Sequence, residues 1–173
     1  MGVTSVVACL LPAPTTAYPD AQLLAIYRAA STIAMVGASP TWNRPSYFVM
    51  RYLQQKGFRV IPVNPRATGS RILGEEVYPD VEAVPVPVDV VVVFRRPDEV
   101  PAIATSAVAV GARTLWLQLG IRSPEGATIA RLAGLTVIED RCMKIEYGRL
   151  SGELAWSGVN TRVITSRRPR PIR

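Results

Sequence analysis

Four short stretches of this chain set polar and cationic side chains beside glycines and prolines, a combination suited to holding a phosphorylated ligand. The first, Val36-Gly37-Ala38-Ser39-Pro40, puts a glycine where an apolar run turns into a helix. Backbone amides at such a turn, with the helix N-terminus behind them, can cradle a phosphate. The stretch carries one glycine rather than GxGxxG, so tight turn geometry alone also accounts for Gly37. Ser39 either donates to a phosphate oxygen or caps its own turn.

The second stretch discriminates among ligands. A nucleotide unit that grips NAD places an acidic residue after its second strand, against the ribose diol. This chain reads Val63-Asn64-Pro65-Arg66 at that place. A carboxylate would repel a ribose phosphate, whereas Asn64 and Arg66 would not. The expected ligand therefore carries a phosphorylated ribose, as coenzyme A and NADP do. The competing reading makes Asn64-Pro65 a plain turn and Arg66 a solvated cation. The third stretch, Phe94-Arg95-Arg96-Pro97, offers two guanidiniums able to clamp phosphates or stack on adenine. In the fourth, Leu117-Gln118-Leu119-Gly120, Gln118 either bonds a ligand or ties neighbouring loops together.

Groups for bond-making chemistry are sparse. The chain has no histidine, which removes the commonest general acid–base and phosphohistidine chemistry. Its two cysteines, Cys9 and Cys142, show no metal-ligand spacing, and two distant thiols make no disulfide framework, so a reducing cytoplasm is expected. Asp89 stands near the start of its strand, away from the four loops. Glu139, Asp140 and Glu146 have no nucleophile nearby except Cys142.

These loops must be positioned by the elements around them. A short helix opens at Pro19-Asp20 and carries Leu23, Leu24, Ile26 and Tyr27. A strand over Ile33–Val36 follows, then a helix from about Ser46 to Lys56 ended by Gly57. A second strand runs from Phe58 to Val63, and Ile72–Tyr78 reads as an extra turn or small strand. Val88–Phe94 is apolar apart from Asp89, as a central parallel strand buried on both faces should be. Pro97 opens a helix with Val100, Ile103, Ala104 and Ala107 on its core face. Strands at Arg113–Leu117 and Leu135–Ile138 flank a helix capped by Ser123, and Met143–Leu150 reads as the last helix. Strands alternating with amphipathic helices predict an α/β fold with a mostly parallel sheet, helices on both faces and ligands at the carboxyl ends of the strands.

The whole composition agrees. Its 173 residues, 49% of them hydrophobic, suit one domain with its own core. No apolar run reaches the ~20 residues of a membrane-spanning helix. Val3–Leu11 is apolar without a preceding basic residue, so a flexible extension over 1–18 is expected rather than a signal peptide or a lipoprotein centred on Cys9. The domain is expected over 19–152 and a basic tail over 153–173. The formal charge of +7 owes much to Arg167, Arg168, Arg170 and Arg173; without them 16 basic residues face 13 acidic ones. A proline-laced arginine tail suits a solvated end better than a reader of nucleic acid.

Taken in order, Val36-Gly37-Ala38-Ser39-Pro40, Arg44-Pro45-Ser46-Tyr47, Ile61-Pro62-Val63-Asn64-Pro65, Val93-Phe94-Arg95-Arg96, Leu115-Trp116-Leu117-Gln118-Leu119-Gly120 and Glu139-Asp140-Arg141-Cys142-Met143-Lys144-Ile145-Glu146 resemble the stand-alone CoA-binding protein family. That family is related to the N-terminal domain of the succinyl-CoA synthetase alpha subunit, and the resemblance spans Leu23 to Leu150. It implies a three-layer Rossmann-like fold of five or six strands with coenzyme A along the carboxyl edge. Gly37, Ala38 and Ser39 would then face the CoA phosphates. Val63, Asn64, Pro65 and Arg66 would flank the nucleotide, and Phe94, Arg95 and Arg96 would border the adenine. Arg44, Ser46 and Gln118 complete the cofactor-binding set. Tyr147 stands where the family commonly has histidine, and the synthetase reaction needs a phosphohistidine from a second domain, so ligase activity is not expected. The expected role is a non-catalytic carrier, sensor or binding module for CoA or an acyl-CoA. An NADP-binding oxidoreductase or regulator is the alternative. A homo-oligomer and a separate partner enzyme both stay open, as does disulfide exchange between Cys142 and the CoA thiol.

Overall fold

The computed structural model describes residues 18–156 and 171–172. Cys9, the extension expected over 1–18 except Tyr18, and the four tail arginines lie outside the described residues. Helix α1 (Asp20–Ala29) precedes β1 (Thr32–Val36), α2 (Pro45–Gln55) and β2 (Arg59–Val63). A tight hairpin of β3 (Arg71–Ile72) and β4 (Glu75–Glu76) occupies the segment read as an extra turn or small strand. Then come β5 (Val90–Val93), α3 (Val100–Ala109), β6 (Thr114–Leu117), α4 (Pro124–Leu132), β7 (Thr136–Ile138), α5 (Met143–Leu150) and the one-turn α6 (Glu153–Trp156).

The five main strands are all parallel, in the order β2-β1-β5-β6-β7. Strand order therefore reverses between β1 and β5, and at such a switch point the loops leaving two adjacent strands diverge to opposite faces and leave a crevice. The expected α/β class, its parallel sheet and its helical layers are all present.

Each face of the sheet has its own core. Under α1, α2 and α5 the packing is aromatic. Tyr27, Phe58, Trp116 and Tyr147 are buried, with ring centroids 5.3 to 6.3 Å apart. Tyr147, the residue in the histidine's place, is fully buried here, and its hydroxyl accepts a hydrogen bond from Ile172 N (3.1 Å). Under α3 and α4 the core is made of small β-branched residues and alanines, among them Val91, Val93, Val100, Ala104, Ala107 and Ala127. Small residues let those helices lie close: a Cβ on Gly126 would stand 2.6 Å from Val100 Cγ1.

Boundaries shift where local chemistry demands it. The central strand begins at Val90, later than expected; the Asp89 backbone still donates to Thr32 O (3.0 Å) and accepts from Arg113 N (2.9 Å), and its carboxylate accepts from Ser31 N (2.7 Å) and Thr32 N (3.0 Å). Helix α3 begins later than Pro97. Pro101 has no N–H to return to the Pro97 carbonyl, so that turn closes as a 3-10 turn over Pro97–Glu99, with Val100 N donating to Pro97 O. Glu153, on α6, accepts from Tyr52 Oη (2.6 Å) and pairs with Lys56, so the packed body reaches at least that residue.

Candidate functional site

The crevice at the β1/β5 switch point is assembled from the first three loops. Gly37 has φ +86°, a conformation that disfavours any residue with a Cβ, and a Cβ there would meet Phe94 O at 2.7 Å and Arg95 Cδ at 2.9 Å. Gly37 is thus fixed by close approach of the β1 loop to the β5 loop as well as by its turn. Its amide donates to Val63 O (2.9 Å), which ties in the β2 loop. Asn64 completes the junction. Its Nδ2 donates to Ala38 O (2.8 Å), and its Oδ1 accepts from Arg66 N (3.0 Å), capping the short 3-10 turn Pro65–Ala67. Asn64 is therefore a brace between loops. An aspartate there could not donate to the Ala38 carbonyl.

Of the two readings of Ser39, the structure shows the cap: its Oγ accepts from Thr41 N (3.2 Å). The buried Ser46 hydroxyl accepts from Ser39 N (3.1 Å), so Ser46 holds the loop onto the first turn of α2. Arg44 and Arg66 are exposed and form no salt bridge with the described residues. Arg95 and Arg96 differ. Arg95 Nε bonds Glu99 Oε2 (2.9 Å), and Arg96 contacts both Glu99 (3.4 Å) and Asp98 (3.2 Å). The sequence signal for this pairing was the i,i+4 spacing of Arg95 and Glu99.

Two adjoining hollows share Arg95 and Glu99. One, of about 290 Å³, is walled by Gly37, Val63, Pro65, Val81, Ala102 and Ile103. The other, of about 390 Å³, is lined by Arg66, Phe94, Arg95, Arg96 and Glu99. An apolar slot beside a cationic mouth is the layout a nucleotide with phosphates needs. A third hollow, of about 230 Å³, lies at the opposite sheet edge beside Asp89 and Arg113. Burial raises the Asp89 carboxyl, but bonds from Thr32 N, Ser31 N and the Arg113 guanidinium outweigh it and hold Asp89 below the usual carboxylate range. Those polar groups are engaged with one another, so that edge offers a ligand little.

Gln118 does not line the crevice hollows. It lies at the carboxyl end of β6, 3% exposed, and its Oε1 accepts from Met143 N at the start of α5 (3.4 Å). Trp116 Nε1 donates to Arg141 O (2.7 Å), securing the same junction. Asp140, in a left-handed conformation at φ +55°, accepts from Gly120 N (2.7 Å) and pairs with Arg122 (2.7 Å). These bonds keep its carboxyl below the usual range. Among the described residues no three His, Cys, Asp or Glu side chains gather as a metal site, and no helix is long and apolar enough to cross a membrane.

Residues 31–148 match the family described as CoA binding domain. Among curated proteins, uncharacterised YneT of Bacillus subtilis is 32% identical over 127 residues, covering 73% of this chain and 93% of YneT. A solved protein of Thermus thermophilus is 39% identical with a TM-score of 0.74, covering 77% of this chain and 99% of its own. A hypothetical protein of Pyrococcus horikoshii is 34% identical with a TM-score of 0.76, covering 81% and 97%. The dinucleotide forming acetyl-coenzyme A synthetase 1 of Ca. Korarchaeum cryptofilum is 26% identical with a TM-score of 0.53. The match covers 62% of this chain and 25% of that larger enzyme.

Proposed function

The chain belongs to the CoA-binding domain family, and from that premise we propose that it holds coenzyme A, free or acylated, across the carboxyl edge of its sheet as a binding module without chemistry of its own. The observation that carries this reading is the crevice where the Gly37 loop meets Phe94-Arg95, with Asn64 in place of a ribose-binding carboxylate and Arg66 beside it. The first turn of α2, held under the Gly37 loop by Ser46, faces the diphosphate, the apolar slot beside Val81 and Ile103 takes the adenine, and Arg66 and Arg95 reach the phosphates. Arg95 must exchange part of its pairing with Glu99 for the ligand, so its contribution is a difference between two ion pairs. Arg66 has no such competitor among the described residues.

Charge-assisted hydrogen bonds are worth ~1.5–3 kcal/mol each. Arg66→Ala should therefore weaken CoA about 10-fold or more in a titration and leave pantetheine, which lacks the nucleotide, unchanged. Arg95→Ala should act in the same direction by less. Equal losses for both ligands would remove the arginines from the phosphate site.

A further inference from the structure

Glu99 stands on the wall shared by the apolar slot and the cationic mouth, and its two carboxylate oxygens serve different partners. Oε2 accepts from Arg95 Nε (2.9 Å) and Oε1 from Arg96 Nε (3.4 Å). One anion with an oxygen for each of two guanidiniums is the arrangement a bound phosphate would make in the same place. Glu99 cannot drift away from it. Its amide donates to Arg96 O (3.0 Å), closing the 3-10 turn that Pro97 opens, and the next residue, Val100, is fully buried. Both arginines and their carboxylate therefore ride on five consecutive residues. A group tethered that closely competes at an effective concentration of ~1 mM or more. The Glu99 side chain is 32% exposed and that of Arg95 29%, so solvent keeps the pairing weak enough to be exchanged. Three guanidiniums, from Arg66, Arg95 and Arg96, line the mouth with this single carboxylate. A phosphate meets Arg66 without opposition among the described residues, but it must displace Glu99 to gain either of the other two.

Resting on the CoA reading, we propose that Glu99 is a built-in stand-in for the ligand phosphate and sets the specificity of the mouth: it holds Arg95 and Arg96 against free anions and yields them to a nucleotide that the adenine slot also grips. Displacing Glu99 costs every phosphate ligand the same amount. Free phosphate or diphosphate has no other contact to offset that cost, whereas CoA adds the burial of its adenine in the slot. The carboxylate thus lowers affinity for all anions alike. Loose anions fall below occupancy, and the anchored ligand does not.

The test compares the full chain with its Glu99→Gln and Glu99→Ala variants in titrations with CoA, pantetheine and inorganic diphosphate. Glu99→Gln keeps the side-chain shape and removes the charge. It is expected to tighten CoA about 3–10-fold, the scale of releasing two partly exposed ion pairs, and to leave pantetheine unchanged. Inorganic diphosphate, at a concentration that leaves CoA binding to the natural chain intact, should compete with CoA in both variants. In a chain that also carries Arg95→Ala and Arg96→Ala, Glu99→Gln should change CoA affinity less than about twofold, because no guanidinium remains for Glu99 to hold. A gain that persists in full without the two arginines would mark a general effect of net charge and overturn the proposal. Unchanged or weaker CoA binding in both Glu99 variants would also overturn it and leave the CoA reading standing. Should CoA bind none of these proteins, the CoA reading falls. Diphosphate binding gained on loss of the Glu99 charge would then still support the hold on the arginines, and its absence would bring down both.

Discussion

At Gly37 the backbone of β1 passes so close to Phe94 and Arg95 that a methyl group would overlap both, in a φ region that L-residues avoid. Gly37→Ala is therefore expected to destabilise the fold by about 1–3 kcal/mol, the usual scale of strain at such a position. It should also lower CoA affinity, since relief of the clash must part the two loops that form the crevice. Urea unfolding and a CoA titration on the same variant check this, and an alanine variant of unchanged stability would mean the loops have room to spare. The glycine, the asparagine and the arginines were all legible in the sequence as types. Their partners were not. Nothing in the residues alone says that Asn64 reaches Ala38 across 26 positions. Ser39 takes the turn-capping one of its two readings, and Ser46 accepts from Ser39 N, seven residues away, a partner its type does not announce.

Elements were easier to read than contacts, because their signals are local. Ser123 caps α4 through Gly126 N as its position before Pro124 implies. The valine run of β5 needed no partner information to be recognised as central. The closeness of α3 to α4 is different in kind. Gly126 looks from the sequence like an ordinary helix-weakening glycine, yet its missing Cβ is what admits Val100. Gly126→Ala would raise helix propensity by about 1 kcal/mol, but it drives a methyl into Val100 Cγ1 and backbone. Overpacking of that sort costs about 1–3 kcal/mol, so the net effect expected is destabilisation, read as a lower urea midpoint. A rise in the midpoint would show that the α3–α4 interface gives way freely. The hairpin β3–β4 was the least legible element, since two-residue strands leave no periodicity to detect; the chain that leaves it bridges Val63 at Tyr78, at the sheet edge.

Across the whole molecule, charge sets the pH dependence. The carboxyls of Asp20, Asp89 and Asp140 lie below their ordinary range, Asp20 chiefly through its hydrogen bond from Arg149. A folded value below the unfolded one gives stability that is complete above the unfolded value, ~3.9, and is lost as pH falls through the folded values. With no histidine to titrate between pH 5 and 8, the melting temperature should be flat from about pH 5 to 8 and fall below about pH 4. A step centred near pH 6.5 would contradict that reading. The parallel sheet itself followed from the alternation of strands and helices. The order in which the strands lie is a long-range property that no local pattern encodes, and with it came the location of the crevice.

Thermal unfolding in the presence of CoA, dephospho-CoA, NADP or NAD at matched concentrations tests the central claim most directly. A ligand at ~100 times its dissociation constant stabilises the native state by about 2.7 kcal/mol, which for this chain length is a rise of roughly 5–10 °C. The account predicts that rise with CoA, a smaller one with dephospho-CoA, which lacks the ribose phosphate, and none with NAD. A rise with NADP and none with CoA would contradict it and assign the crevice to a different phosphorylated nucleotide.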